Sequence, residues 1–187
     1  MRWQENVPFI RMMKVLTTKI AESEIVGMNE DIVKHVSDSQ TEQVHLLFPG
    51  SLNSDGRLYG GLLLSWLDET AGIVARRHFG GSVVTASIDR LDFKAGAGNG
   101  DTVFIRGFLT YVGNSSMEVR LDTYVEDIKD GKRHMINTAF FVMIGLDSEQ
   151  KPTRVPRLAV ETMSEKAEWE AAEKRQQLRR ARRQEGY

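Results

Sequence analysis

Strict alternation of apolar and polar residues marks the second half of this chain. Across residues 115–127, Met117, Val119, Leu121, Thr123 and Val125 fall on one side, and Glu118, Arg120, Asp122, Tyr124 and Glu126 on the other. That period predicts a strand with one face on a core and one face in water. Asp130-Gly131 predicts a hairpin turn into a further strand over 134–146. Residues 82–93 are rich in β-branched side chains, and residues 101–112 follow the glycine loop KAGAGNG; both predict strands. A shorter strand is predicted over 41–48, ended by Pro49-Gly50.

Between the first strand and the rest, the period changes. Leu62, Leu63, Leu64, Trp66, Leu67, Ala71, Ile73, Val74 and Ala75 predict a helix over 60–79, apolar around most of its circumference and so buried nearly all round. Arg76, Arg77 and His78 suit its C-terminal end, and Gly80-Gly81 stops it. Phe9, Ile10, Met13, Leu16 and Ile20 fall near helical spacing and predict a short amphipathic helix in an N-terminal arm, residues 1–35. After Pro152 and Pro156 the chain becomes charged and helix-favouring, which predicts a peripheral tail, residues 159–187, with a basic end. The central unit is then residues 36–158, an α+β fold in which an antiparallel sheet curls around one long helix.

Composition narrows the function. The 187 residues suffice for one domain with arms, and the formal net charge of −1 gives no bulk field to recruit nucleic acid or a membrane. With no cysteine, thiol nucleophiles, disulfides and thiolate metal sites are excluded. No apolar run approaches the roughly 18 residues of a membrane span, and MRWQENVPFIRMM lacks the features of a secretion signal. A cytoplasmic protein is expected. His35, His45, His78 and His134 show no metal-ligand spacing, and no nucleophile elbow or dinucleotide fingerprint occurs.

The candidate chemistry lies in residues 52–72, LNSDGRLYGGLLLSWLDETAG. Asp68 and Glu69 are adjacent but point about 100° apart on a helix. Either they form structural ion pairs at a surface or interface, or one is a general base. Gly60-Gly61 opens the helix, where backbone N–H groups lack intrahelical acceptors. The pair serves either close packing or as an oxyanion site. Asn53 is either a turn residue or a holder of a water or a carbonyl. Arg179, Arg180, Arg182 and Arg183 form either a solvated face or an anion contact.

Taken together, NSDGRLYGG, WLDETAGIVARRH, VVTASIDRLDF, the loop ending NGD and NSSMEV resemble, in order and spacing, the hot-dog-fold acyl-CoA thioesterases of the brain-type acyl-CoA hydrolase group. The resemblance runs from about Gln43 to Met143, and RRARRQ looks like the basic ending of some members. It implies hydrolysis of an acyl-CoA to a free acid and CoA, with no cofactor beyond the CoA of the substrate. It implies a homodimer at least, with trimers of dimers in many relatives. It implies that Asn53 of one subunit works with Asp68 of its partner, and that Gly61 sits at the helix start beside Gly60. CoA contacts are implied at Ala86, Ser87 and Ile88 and at Ser115, Ser116 and Met117, with Arg179 and Arg180 as candidate phosphate contacts. Many relatives carry Asn in place of Arg57 and His in place of Tyr59. A non-catalytic acyl-CoA-binding protein is the alternative; a dehydratase on this fold would want a His beside Asp68, and His78 is almost three turns away.

Overall fold

The computed structural model describes residues 32–186. In chain order these form β1 (Val33–His35), α1 (Val36–Ser39), β2 (Thr41–Leu46), α2 (Gly60–Phe79), β3 (Ser82–Phe93), β4 (Thr102–Val112), β5 (Ser116–Glu126), β6 (Arg133–Leu146), β7 (Arg157–Ala159) and α3 (Met163–Glu185). The helix expected around Phe9–Ile20 lies outside the described residues. Five strands make one antiparallel sheet in the order β2-β4-β5-β6-β3. This is the hot-dog arrangement, with α2 laid across the concave face.

The core is the seam between α2 and that face. Leu63, Leu67, Ala71, Val74 and Ala75 of the helix meet Val103, Ile105, Leu109, Met117, Val119, Leu121, Ala139, Phe141 and Met143 of the sheet, all buried. The packing is tight at Gly107, where a Cβ would lie 3.0–3.2 Å from the Thr70 and Val74 side chains of α2 and the Leu121 side chain of β5. Gly80 ends α2 in the left-handed region at φ 81°. The Lys34 ammonium then donates to the last carbonyls, Arg77 O at 3.0 Å and His78 O at 2.6 Å.

Three expectations change. First, α2 is not buried all round. Gly61, Ser65, Asp68, Glu69 and Arg76 are exposed, and Leu62, Leu64, Trp66 and Ile73 are only half-buried. The exposed positions recur at helical spacing and form one stripe. Second, the outer face of β5 is not wet. Glu118 and Asp122 are 1% and 5% exposed, because α3 lies over that face and covers them. Third, β1 falls in the segment read as an arm and pairs in parallel with β7. Strands of three residues are too short to show a period.

The tail helix is therefore docked rather than solvated. It starts at Thr162, whose hydroxyl accepts the Glu165 N–H while the Glu165 carboxylate accepts the Thr162 N–H. The backbone N–H groups of Thr162 and Glu161 hold that carboxyl below the ordinary range.

Candidate active site

The loop before α2 is built around Asn53. Its Oδ1 accepts the Asp55 N–H at 3.0 Å and the Arg57 N–H at 3.1 Å. Two backbone donors fix which end of the amide is oxygen. The group left for a ligand is the Nδ2 amide, a donor only. The turn reading of Asn53 describes its oxygen, and its nitrogen makes no hydrogen bond in the turn. The Leu58 N–H donates to Ala97 O at 2.7 Å, tying the loop to the glycine loop. Asn53, Arg57, Gly60, Leu63, Phe93 and Lys94 are among the residues around a cavity of about 450 Å³.

Gly60 and Gly61 open α2, and Tyr59 O accepts the N–H groups of Leu62 and Leu63. The N-cap residue, Tyr59, makes no side-chain cap. The glycine N–H groups are then first-turn donors, with no carbonyl of the helix to bond. A Cβ on Gly61 would come within 2.7 Å of the outer end of the Tyr59 ring, so a larger residue there would displace that exposed side chain. The close-packing reading of the glycine pair and the donor reading are compatible.

Asp68 and Glu69 separate as helix geometry requires. Asp68 Oδ1 accepts the Thr85 hydroxyl of β3 at 2.6 Å. Asp68, Gly72, Arg76, Thr85 and Met143 are among the residues around a second cavity, of about 570 Å³. Glu69 also borders this cavity and lies near Ser65 and His45, with Ser65 Oγ 3.5 Å from Glu69 Oε1. His45 stacks on Trp66 with ring centroids 3.9 Å apart. Burial pushes the His45 imidazole below its ordinary value, and the charge of Glu69 opposes that. Both carboxylates are exposed within the chain, so burial does not pick out the base. The two differ in their partners: the Thr85 hydroxyl holds Asp68 Oδ1, while Glu69 has the longer Ser65 contact.

Thr85 escapes the sequence reading because threonine in VVTAS reads as an ordinary strand former. The CoA-contact candidates divide. Ala86 is exposed, Ile88 is 42% exposed, and Ser87 Oγ is buried with no partner among the described residues. Ser115 and Ser116 sit at the same end of the sheet as Thr85, since Ser116 pairs with Ile144 and Thr85 with the adjacent Met143. Ser115 O accepts the Gly145 N–H and Ser116 O the Gly113 N–H. Met117 is the exception: at 0% exposure its side chain is core packing, inward-facing on β5, which leaves only its main chain for a ligand. Arg179 is not open to a phosphate either, because it is held between Glu118 and Asp89. Arg180 is exposed. No cluster of His, Asp or Glu among the described residues could hold a metal ion. No described helix is long and apolar enough to cross a membrane.

Residues 55–132 match the model of the thioesterase superfamily. An acyl-CoA thioester hydrolase of Bacillus subtilis is 38% identical over 128 residues, covering 68% of this chain and 74% of the relative. The chain belongs to this family of acyl-CoA thioester hydrolases. The cytosolic acyl coenzyme A thioester hydrolase of Rattus norvegicus is 35% identical over 176 residues, or 89% of this hydrolase, which spans 46% of that longer relative. The acyl-CoA hydrolase of Staphylococcus aureus, solved with butyryl-CoA and CoA, superposes with a TM-score of 0.78 at 34% identity, covering 82% of this chain and 93% of that one. A hexameric acyl-CoA thioesterase in its apo form superposes with a TM-score of 0.78 at 36% identity, covering 81% and 97%. The Staphylococcus aureus enzyme has also been solved with an Asn, an Asp and a Thr each changed to alanine, the three spaced 15 and then 17 residues apart.

Proposed function

We propose that this hydrolase cleaves acyl-CoA thioesters at a site shared between two copies of the chain, Asn53 from one and Asp68 with Thr85 from the other. The observation that carries this reading is the Asp68–Thr85 hydrogen bond of 2.6 Å. Asn53, Asp68 and Thr85 have the same spacing as the three positions changed to alanine in the Staphylococcus aureus enzyme. Asn53 and Asp68 line two different cavities of one chain, which favours a shared site over a site within one copy.

The roles follow from the donors and acceptors available. The thioester carbonyl oxygen docks on the Gly61 N–H at the start of α2, where the helix dipole favours developing negative charge. Asn53 Nδ2 donates a second hydrogen bond to the same oxygen. The Thr85 hydroxyl holds Asp68 Oδ1, so Oδ2 faces the attacking water and takes its proton. The water oxygen forms the new C–O bond and the C–S bond breaks. CoA leaves as a thiolate, a better leaving group than an alkoxide and one that needs little acid assistance. The proton held by Asp68 then passes to the thiolate or to solvent. No histidine is needed, and His78 is fully buried against Pro156 O at 2.9 Å.

The working assembly in this proposal is a homodimer, with three dimers forming a hexamer. Ala86, Ser87, Ile88, Ser115 and Ser116 form the edge along which the CoA moiety lies. Release of free thiol from acyl-CoAs of graded chain length tests the reading, and with no cysteine the protein contributes no background. Steady release by the parent chain, with a loss of about 10²–10⁴-fold in Asp68→Asn, is expected. Binding of acyl-CoA without release would instead select a non-catalytic binding protein.

A further inference from the structure

Beneath α3 lies a buried cluster of charge that the proposed chemistry does not use. Glu118 on β5 is 1% exposed. Its Oε1 accepts from Arg175 Nη2 at 2.7 Å and from the Thr110 hydroxyl at 2.8 Å, and its Oε2 accepts from Arg179 Nη1 at 2.6 Å. Arg179 Nη1 also reaches Asp89 Oδ2 at 3.0 Å, and Arg182 Nη2 donates to Asp89 Oδ1 at 2.7 Å. The Asp89 side chain is 7% exposed and that of Arg179 12%. Buried ion pairs gain little net stability over apolar packing, so their retention asks for a positional reason.

The register of β3 supplies one. Thr85 pairs with Met143, but Ser87 pairs with Val142, so Ala86 is an extra residue. Ile88 pairs with Phe141 and Arg90 with Phe140, so Asp89 is a second extra residue with no register partner on β6. In a regular strand Thr85 and Asp89, four positions apart, would share a face. The bulge at Ala86 puts them on opposite faces. Thr85 meets Asp68 of α2 on the concave side, and Asp89 meets Arg179 and Arg182 of α3 on the convex side. The strand is also the sheet's edge among the described residues. Its bulged segment is thus held from both sides by side chains, with ties roughly 13 Å apart along the strand.

We propose that α3 is a positioning element for catalysis: through Arg179 and Arg182 on Asp89 it fixes the β3 bulge and so the placement of Thr85 against Asp68. This rests on the proposed roles of Asp68 and Thr85. Arg182 is the residue to change, since its side chain is 49% exposed and its one ion pair among the described residues is with Asp89. The matched control is Glu168→Gln, which breaks the tie between α3 and Arg120 on β5, away from the bulge.

In the full-length chain, Arg182→Gln should lower kcat for acyl-CoA by about three- to tenfold with KM within about twofold, and Arg182→Lys should recover most of the loss. Arg182→Gln and Glu168→Gln should lower Tm by similar amounts, but Glu168→Gln should leave kcat unchanged. In a Thr85→Ala background, Arg182→Gln should cost nothing more, because both changes act through one hydrogen bond. Unchanged kcat in Arg182→Gln beside a damaged Thr85→Ala would overturn the positioning role while leaving the site intact. So would an equal kcat loss in Glu168→Gln, or full additivity with Thr85→Ala. Parent-like kcat in Thr85→Ala would overturn the site itself and the inference with it.

Discussion

The sheet is covered by a helix on each face, and the two helices are attached in opposite ways. Against α2 the contact is mainly apolar, with Leu63, Leu67, Ala71 and Val74 almost inaccessible, and polar ties such as Asp68–Thr85 and Thr70–Gln43 lie beside that seam. Against α3 it is largely ionic, with Glu118 and Asp89 of the sheet facing Arg175, Arg179 and Arg182 of the helix, and Arg120 of the sheet facing Glu168. Arg175 also lies 3.9 Å over the Phe140 ring. Apolar burial is non-directional and tolerates small shifts, whereas hydrogen-bonded charges hold their partners to a few tenths of an ångström. Both faces contribute to stability, and in the proposal above the outer face also fixes where parts of the sheet lie.

That contrast can be broken on either side. The largest effect is expected from Glu118→Ala, which leaves Arg175 and Arg179 facing each other without their shared carboxylate. A loss of about 3–5 kcal/mol is expected in urea unfolding. Leu67→Ala, on the inner face, should cost about 2–5 kcal/mol through the cavity it leaves, and should leave kcat per folded molecule nearly unchanged. Gly107→Ala, where α2 side chains pack tightly on the sheet, should cost about 1–3 kcal/mol by overpacking. Thr162→Ala should cost about 1 kcal/mol by uncapping α3. A Thr162→Ala variant as unstable as Glu118→Ala would mean that the cap, not the ion cluster, holds the tail.

The fold was legible where its signals are local. The bounds of α2 follow from glycine pairs at both ends, and β5 and its turn follow from strict alternation and Asp130-Gly131. What was not legible depends on partners far away in sequence. Alternation could not reveal that the polar side of β5 lies under α3, because a buried carboxylate and a solvated one look alike until their arginines arrive from residues 175–182. The bulge at Ala86 is a property of the pairing with β6 and not of β3 alone. Of the site, Asn53, Gly61 and Asp68 stood out because polar or small residues interrupt an apolar run. Thr85 did not, because its backbone preference hides its hydroxyl. Met117 shows the converse: its neighbours in NSSMEV carry the motif, while the strand turns its own side chain into the core, which alternation alone shows.

The α2 side also carries a titration. Burial pushes the His78 imidazole below its ordinary value near 6.5, with Lys34 adding to that and the Pro156 carbonyl and Asp38 opposing it. A histidine kept neutral in the folded chain binds its proton more readily when unfolded, so stability rises with pH in this range. The contribution is complete above about pH 6.5 and is lost as pH falls below it. Melting temperatures between pH 7.5 and 5.5, taken as experimental settings, should fall with acid in the parent and fall less in His78→Gln. An equal fall in both would assign the acid sensitivity elsewhere, His45 being the next group shifted the same way.

The central claim is that the site is shared between two copies. Asn53→Ala and Asp68→Asn, each nearly inactive alone, can be unfolded together and refolded as mixed dimers. Free-thiol release from acyl-CoA should then return to about a quarter of the parent rate, because half of randomly paired dimers contain one intact site. No recovery in dimers shown to contain both variants would contradict the claim.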